Sequence, residues 1–396
     1  LGRGVFALRL VNAVFGTLAV AVTYAWAAPR LGRPTALLGA ALLAVSFWPL
    51  AASREALRAG MLPFFMGLAV LAFWRILEPT LLTTDRRPQT TDHRPPLSSG
   101  GSSVVRRPSS VVRRLWAVIL FALAVALTLY IYLAARVSWL LFPAFLGYLA
   151  LVHRAIFRRA WWPRTAGPVL AGLLLAGLLV APLFLYLRAH PEMQTRLDML
   201  DRPLQGLAAG ELAPLLLNVR DALLAFVWPG FGDQFLAYNI PGRPVLDVVS
   251  AVFFVLGLLV CLWRWRRPVY AFLLLWFLTG ILPSLVTGPT ANTTRNLAAL
   301  PAVYLIVAVG FVAPLRRLTA DRRPRTTDHG RQTTRFLSGD EDQLIKGRRG
   351  LWSVVCRLLP TLFIVWVTFV SARDYFVRWA DSADVRGAYQ HTLVES

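Results

Sequence analysis

Ten apolar stretches, separated by more polar segments, dominate the hydrophobic pattern of the chain. They are residues 5–28, 34–52, 61–77, 115–134, 137–153, 167–187, 246–263, 269–286, 298–313 and 351–370. A helix of about 20 apolar residues spans the hydrocarbon core of a bilayer, and the shorter stretches lie near the lower limit of that length. The pattern predicts an all-α, polytopic integral membrane protein with about ten transmembrane helices.

The polar segments alternate between arginine-rich and arginine-poor. The arginine-rich segments are residues 29–33, 75–114, 153–164, 264–268 and 314–350. Because short cytoplasmic loops carry an excess of basic residues, the alternation predicts that these segments are cytoplasmic and that Leu1 is outside. The stretches on either side of Val137 and Ser138 could instead form one long bent helix, which would invert the orientation of everything that follows. The basic residues of 264–268 favour two separate helices.

The apolar stretches and loops divide the chain into eight segments. These are helices 1–3 in 1–77, a low-complexity cytoplasmic loop in 78–114, helices 4–6 in 115–187, an extracytoplasmic loop in 188–245, helices 7–9 in 246–313, a second low-complexity cytoplasmic loop in 314–350, helix 10 in 351–370 and an extracytoplasmic tail in 371–396. The apolar residues of 212–226 have helical spacing, so we expect short helices along the membrane surface in the extracytoplasmic loop.

The two low-complexity loops contain a near-repeat that begins at Asp85 in one loop and at Asp321 in the other. Tracts rich in Arg, Pro, Thr and Ser cannot bury enough apolar surface to fold, so we predict disordered insertions. The alternative is a basic lipid-binding or metal-binding tract that uses His93 and His329.

The composition agrees with a membrane protein. The chain is 57% hydrophobic, and its 42 basic residues against 20 acidic residues give a net charge of +22. In a soluble protein this charge would suggest a nucleic-acid partner. Here most basic residues lie in the predicted cytoplasmic loops, so the orientation rule explains them and we expect no nucleic acid. Cys261 and Cys356 lie inside apolar stretches and are interpreted as packing residues.

The sequence carries no phosphate loop, dinucleotide fingerprint, zinc-binding helix motif or nucleophile elbow. Ionisable residues are nearly absent from the middle of the apolar stretches, where transporters and pumps normally place them. The candidate residues therefore lie at the predicted outer ends of the helices.

Arg54 and Arg58 are spaced to share one face if the helix continues through them, and two guanidiniums at the bilayer surface suit a phosphate. The alternative is a pair of interface anchors with Glu55 as their partner. Arg295 stands alone in a neutral loop and could also hold a phosphate. Asp233 could be a general base or metal ligand, or a solvated loop charge. The same alternatives apply to the other outside acids, Glu192, Asp198, Asp201 and Asp247.

Four segments, taken in order, follow the pattern of one enzyme family. They are 6–18 with Arg9-Leu10 before Gly16, 53–58 with Ser53-Arg54-Glu55, 241–247 with Pro241-Gly242-Arg243, and 295–304 with Arg295, Leu300-Pro301 and Tyr304. They resemble the polyprenyl-phosphate-sugar glycosyltransferases of the GT-C superfamily. Protein O-mannosyltransferases and the aminoarabinose transferase of lipid A are members of that family.

The resemblance implies transfer of a sugar from a polyprenyl-phosphate carrier to a protein, lipid or glycan acceptor, at the extracytoplasmic face of a bacterial plasma membrane. In such enzymes the base is an acidic residue of the first outside loop, which we expect to precede Leu1. The resemblance implies that Arg54, Arg58 and Arg295 bind the lipid phosphate, with Glu55 and Asp233 as secondary polar contacts. We assign no metal ligand and no certain cofactor, although the chemistry is compatible with a divalent metal. The expected partners are membrane lipid, the lipid-linked sugar donor and the acceptor.

Two other classes fit the same size and number of helices: a transporter or flippase of lipid-linked sugars, and a non-catalytic membrane subunit. A transporter should have helices broken at mid-depth, for which Pro143, Pro182 and Pro283 are candidates. Uninterrupted apolar stretches, charges at the outer ends and a long outside loop favour the enzyme.

Overall fold

The computed structural model describes residues 5–54, 57–85, 110–154, 165–190, 210–287, 292–320, 358–380, 382 and 384–385. These residues form helices and turns, and no strand occurs among them. The repeated stretches with His93 and His329 lie outside the described residues, as do Glu55, Glu192, Asp198, Asp201 and Cys356. The predictions made for them stay predictions.

Thirteen α-helices are numbered here in chain order. They are α1 Val5–Leu31, α2 Arg33–Val45, α3 Phe47–Arg54, α4 Leu62–Asp85, α5 Ser110–Ile131, α6 Leu141–Val152, α7 Gly167–Ala189, α8 Ala213–Leu224, α9 Val248–Trp263, α10 Pro268–Thr287, α11 Asn292–Arg295, α12 Leu300–Ala320 and α13 Leu358–Trp379. Three 3-10 segments precede α4, α6 and α12: Arg58–Met61, Leu133–Leu140 and Leu297–Ala299.

The helices confirm the predicted polytopic class. Eight helical segments of the described chain are long and apolar enough to cross a membrane, and the bent pair α2–α3 makes a ninth. Helix α9 is apolar but has only 16 residues. Each of the ten predicted stretches therefore overlaps an apolar helix or helix pair. Helix α13 matches 351–370 only from Leu358 and continues to Trp379, with π-helical turns over Arg373–Trp379, so the predicted tail begins later than residue 371. Helix α4 runs on to Asp85 and α5 begins at Ser110, so the first low-complexity loop is shorter than the predicted 78–114.

The prediction of one continuous helix over 34–52 is wrong. Helices α2 and α3 meet at an angle of 52°, with extended backbone at Ser46 (φ −75°, ψ 153°). Pro49 supplies the reason. In a continuous helix its ring would clash with the carbonyl group four residues earlier, at Val45, and its missing N–H would leave that carbonyl without a partner. The break turns α3 across the outer end of α1.

The two stretches around Val137 and Ser138 are separate helical segments, and the break lies earlier than predicted. Helix α5 ends at Ile131, and Tyr132 is extended (φ −148°, ψ 137°) before the 3-10 segment that leads into α6. At the far end of α6, the His153 ring nitrogen Nε2 lies 2.9 Å from the carbonyl oxygen of Arg266. The end of α6 and the 264–268 turn therefore meet at one end of the bundle.

Helix α12 lies at the centre of the bundle and packs closely against α9. A Cβ atom added to Gly257 would lie 2.0 Å from the carbonyl oxygen of Ile306, and one added to Gly310 would lie 1.9 Å from that of Phe253. Only glycine allows this approach of the two backbones, which is the usual role of small residues between membrane helices.

Arginines from separate segments of the described chain lie together at one end of the bundle. Arg30, in the last turn of α1, forms an ion pair with Glu78 of α4. Arg316 of α12 donates from Nη2 to the carbonyl oxygen of Leu31 at 3.1 Å. We call this the arginine-rich end. The opposite end, where α3, α8 and α11 lie, is called the outer end.

Candidate functional site

A groove of about 320 Å³ opens between α1, the α2–α3 pair, the start of α4 and the start of α12. Its walls are mostly small or apolar. They include Ala13, Gly16 and Thr17 of α1 together with Pro49, Leu50 and Ser53 of α3. The bend at Ser46 makes this groove, because it turns α3 over α1 instead of continuing the line of α2. Because its walls are mostly apolar, the groove suits a hydrocarbon chain better than a polar substrate.

The groove meets polar residues at its outer end. A small adjoining pocket shares Ala52 and Gly60 with the groove. Its other walls include Trp48, Tyr238 and Thr293. At this junction the backbone of Gly60 lies close to that of Ala52. A Cβ atom added to Gly60 would lie 2.9 Å from the carbonyl oxygen of Ala52, so a side chain here would crowd the junction.

The loop between α8 and α9 turns back on itself at two glycines. Gly230 (φ 91°) and Gly242 (φ 74°) have the positive φ that side chains disfavour, and the amide of Gly230 donates to the carbonyl oxygen of Gly242 at 2.8 Å. The turn points Asp233 into the protein. The helix expected within 212–226 is α8.

Asp233 is buried, with 1% of its surface exposed. Its Oδ2 accepts hydrogen bonds from the amide of Thr293 at 3.1 Å and the hydroxyl of Thr293 at 2.6 Å, and its Oδ1 accepts from the amide of Phe235 at 3.0 Å. The carbonyl oxygen of Thr293 in turn accepts from Trp48 Nε1 at 2.8 Å. The interpretation of Asp233 as a solvated loop charge is wrong. The carboxylate ties two outer loops to α3.

Arg295 is half-buried, two residues after Thr293. Its Nη1 donates to the hydroxyl of Thr287, at the end of α10, at 2.8 Å. Burial lowers the pKa of Arg295 below its usual value, while Tyr132 and Asp233 act in the opposite direction. Arg295 and Asp233 are two of the five predicted site residues, and the structure brings them close enough for their opposite charges to interact.

Arg54 and Arg58 are both exposed at the outer end, but the predicted shared helical face is wrong. Helix α3 ends at Arg54, and Leu57 is extended (φ −93°, ψ 133°) before the next helical turn. The Arg54 guanidinium lies 4.9 Å from the ring centre of Tyr375. Arg54 directly follows Ser53 of the groove wall, and Arg58 precedes Gly60. Each arginine is therefore close in sequence to a residue that lines the groove, and the two belong to different helical elements.

Sequence reasoning missed Arg243 and Asp374 as a structural pair. Arg243 Nε donates to Asp374 Oδ2 at 2.9 Å, and only 10% and 6% of the two side chains are exposed. The guanidinium also lies 4.2 Å from the ring centre of Phe47 on α3. Arg243 belongs to the segment quoted for the family resemblance, but no local pattern indicated its partner. Among the other outside acids, Asp247 caps α9 by accepting hydrogen bonds from the amides of Val249 and Ser250.

The described part of the chain contains no group of three or more His, Cys, Asp or Glu side chains that could hold a metal ion. The polar groups of the described outer end include guanidiniums, hydroxyls, side-chain amides, indoles and buried carboxylates.

The family model of the dolichyl-phosphate-mannose-protein mannosyltransferases matches residues 2–90. For that segment it confirms the resemblance inferred from the sequence. Comparison with the curated proteins gave no match.

Two solved structures are similar to the chain, both of an oligosaccharyltransferase from Archaeoglobus fulgidus. One is AglB in complex with an inhibitory peptide and a dolichol-phosphate, at 16% identity and a TM-score of 0.43, covering 92% of this chain and 44% of that one. The other is an apo form, at 15% identity and a TM-score of 0.42, covering 97% and 48%. This chain thus spans less than half the length of either. These similarities assign no role to individual residues.

Proposed function

We propose that the protein is a membrane glycosyltransferase that takes a sugar from a polyprenyl-phosphate carrier and transfers it to a protein, lipid or glycan acceptor. The observation that carries the proposal is the match of the mannosyltransferase family model to residues 2–90. All the residues that line the groove, except Leu300, lie within that matched segment. The part of the chain that resembles the enzyme family is therefore the part that builds the groove.

The groove is proposed to hold the isoprenoid chain of the donor close to its phosphate. The groove walls consist mostly of small and apolar side chains, where a hydrocarbon would lie. The adjoining pocket, which begins at Ala52 and Gly60, supplies polar side chains. A lipid-linked donor has the same division, with a long apolar chain that ends in a charged phosphate. This arrangement lets the chain stay in the membrane while the phosphate–sugar bond reaches the outer end.

Arg54 and Arg58 are proposed to bind the lipid phosphate. When the sugar leaves, the bond between its anomeric carbon and the phosphate oxygen breaks, and the phosphate keeps the electron pair. The extra negative charge on the leaving phosphate needs cationic groups that are already in place. Both arginines are exposed and lie within two residues of groove-lining residues in the sequence, and Arg54 lies against the ring of Tyr375.

Arg295 is proposed as a third cation and Asp233 as its positioning residue. Asp233 fixes the backbone and hydroxyl of Thr293, two residues before Arg295, and Thr287 holds the guanidinium from the other side. Glu55 keeps its predicted role as a secondary contact. No described residue is assigned as the base that deprotonates the acceptor.

The same reasoning gives a proposed orientation. The loops at the arginine-rich end follow the rule for cytoplasmic loops, so the outer end is proposed to face the extracytoplasmic side of a bacterial plasma membrane. The partners are then membrane lipid, the polyprenyl-phosphate sugar and an acceptor outside the cytoplasm.

A matched pair of neighbouring substitutions tests the groove. Ala13 and Val14 are both exposed on α1, but only Ala13 lines the groove. Purified protein is incubated with a panel of polyprenyl-phosphate sugars that includes the mannose derivative. Bound donor is measured by native mass spectrometry, and free polyprenyl phosphate by chromatography. We expect Ala13→Phe to lower donor binding about tenfold by filling the groove, and Val14→Phe to change it less than about twofold.

The product separates the enzyme from a carrier. A glycosyltransferase converts the donor to polyprenyl phosphate when an acceptor is present, whereas a flippase releases the donor unchanged. Formation of polyprenyl phosphate by the wild type and Val14→Phe, and its loss in Ala13→Phe, supports the proposal. Intact donor recovered after binding to the groove would contradict it and favour transport of lipid-linked sugars.

A further inference from the structure

A second cavity, of about 240 Å³, lies at the arginine-rich end of the bundle, away from the groove. It is bounded by three parts of the chain that are distant in sequence. The α1–α2 turn contributes Leu31 and Thr35, the α9–α10 turn contributes Arg264 and Tyr270, and α12 contributes Val309, Val312, Ala313 and Arg316. None of these residues belongs to the proposed donor site.

Neutral groups help to hold the two arginines of this cavity. Arg316 Nη2 donates to the carbonyl oxygen of Leu31 at 3.1 Å and to the hydroxyl of Thr35 at 3.3 Å. Arg264 Nη1 lies 3.2 Å from the hydroxyl of Tyr270. Among the described residues that line the cavity, none carries a carboxylate. Its polar side therefore carries positive charge and hydroxyl groups, which together suit a phosphate.

The rest of the cavity is apolar. Leu31, Val309 and Val312 are buried and form its wall toward the centre of the bundle. A ligand that fits both sides has a negatively charged phosphate at one end and hydrocarbon at the other. Phospholipids of the adjacent leaflet have this structure, and basic pockets between membrane helices are suited to their headgroups.

We propose that this cavity binds the phosphodiester headgroup of an anionic phospholipid, with its glycerol and upper acyl chain against the apolar wall. The bound lipid would connect the α1–α2 turn, the α9–α10 turn and α12, three segments that meet at this end. The site is independent of the proposed glycosyl transfer, because it uses other residues at the other end of the bundle.

The ordinary explanation of these arginines is that they anchor helix ends at the membrane surface without a specific ligand. The chain offers a matched control for this explanation. Arg266 and Arg267 lie in the same turn as Arg264, are exposed and do not line the cavity. The double variants R264Q/R316Q and R266Q/R267Q remove the same charge from the same end of the protein, but only the first removes it from the cavity.

The experiment uses the full chain purified in a mild detergent. Native mass spectrometry measures the fraction of protein with one bound lipid after addition of dioleoylphosphatidylglycerol, with dioleoylphosphatidylcholine as the neutral comparison. We expect phosphatidylglycerol to bind better than phosphatidylcholine, R264Q/R316Q to lower its binding about tenfold, and R266Q/R267Q to lower it less than about twofold. Equal losses in the two double variants, or equal binding of the two lipids, would overturn the proposal.

Two further arms complete the test. Ala313→Phe fills the cavity without changing its charge, and we expect the same preferential loss of phosphatidylglycerol. It also decides the question if R264Q/R316Q does not fold, since retained binding in Ala313→Phe would overturn the proposal. sn-Glycerol 3-phosphate carries the phosphate without the acyl chains. If it displaces the lipid at equal concentration, the ligand is a soluble phosphate compound and the proposed lipid site is wrong.

Discussion

Each end of the bundle contains an ion pair that involves a buried arginine, and the two pairs differ in their surroundings. At the outer end, the side chains of Arg243 and Asp374 are only 10% and 6% exposed, and they join the loop before α9 to α13. At the arginine-rich end, the side chain of Arg30 is 7% exposed, but that of Glu78 is 42% exposed. Arg30 also lies 5.6 Å and 5.0 Å from the ring centres of Trp26 and Trp74.

The difference shows how the two ends are built. At the outer end, the Arg243–Asp374 pair joins segments far apart in the chain, and both side chains are largely buried, so water cannot readily replace either partner. At the arginine-rich end, the carboxylate of Glu78 remains in contact with solvent, although both guanidiniums have aromatic and carbonyl contacts of their own. We therefore expect the outer end to be the more sensitive to loss of a single charge.

The largest effect is expected from Asp374→Asn. This change leaves the buried Arg243 without its carboxylate, and we expect a loss of about 3 kcal/mol of unfolding free energy. Titration of the purified protein with a denaturing detergent in mixed micelles, followed by tryptophan fluorescence, measures the loss. A double variant, R243M/D374L, replaces both charges with apolar groups and should recover most of it. A double variant as unstable as Asp374→Asn would show that the ion pair is not what the outer end requires.

A smaller loss is expected from Asp233→Asn. The amide accepts fewer strong hydrogen bonds from Thr293 than the carboxylate does, so we expect about 2 kcal/mol less stability in the same titration. Donor binding should weaken as well, because Arg295 loses its positioning residue. The control is Asp221→Asn, which removes an ion pair with Arg220. Because the Arg220 side chain is 56% exposed, this change should alter stability by less than about 1 kcal/mol. Similar losses in the two variants would argue against the network around Asp233.

Glu78→Gln makes the same type of change at the arginine-rich end. We expect a loss of only about 1 kcal/mol, because Glu78 is partly solvated and Arg30 keeps its hydrogen bond to the carbonyl oxygen of Trp26. The ratio between this loss and that of Asp374→Asn measures the contrast directly. If Glu78→Gln proves as destabilising as Asp374→Asn, the two ends do not differ as described.

The smallest effect is expected from replacing residues 86–109 with a Gly/Ser linker of the same length. Their composition predicts a segment without a packed core, so stability should change by less than about 0.5 kcal/mol and donor binding should be retained. The linker variant is assayed beside the wild type in both measurements. Loss of binding would assign a function to the low-complexity segment and contradict the prediction.

The sequence predicted the helical class well because a bilayer imposes a length and an apolar composition on every crossing helix. The grouping of the basic loops on the cytoplasmic side follows from one simple charge rule and stays a prediction. The bend at Ser46 was missed although Pro49 was a local signal for it. The shared face of Arg54 and Arg58 was wrong because that inference required a helix to continue past its end.

The candidate site was less predictable because its important contacts are not local. Arg243 and Asp374 are 131 residues apart, and Asp233 and Thr293 are 60 apart. Neither pair has a spacing that a sequence pattern can reveal. Asp233 was identified as a candidate from its residue type, but its burial depends on a turn formed by two glycines. The residues that define the groove are small and apolar, and in a membrane sequence these carry no distinguishing signal.

The most direct test of the central claim is photo-crosslinking with a polyprenyl-phosphate sugar that carries a photoreactive group in its first isoprene units. The labelled residues are then mapped by mass spectrometry. The account predicts labels on 13–20 of α1 and 49–53 of α3, which polyprenyl phosphate competes away and polyprenol, lacking the phosphate, does not. Labels concentrated on lipid-exposed residues such as Leu174 and Leu178 of α7, or equal competition by polyprenol, would contradict it.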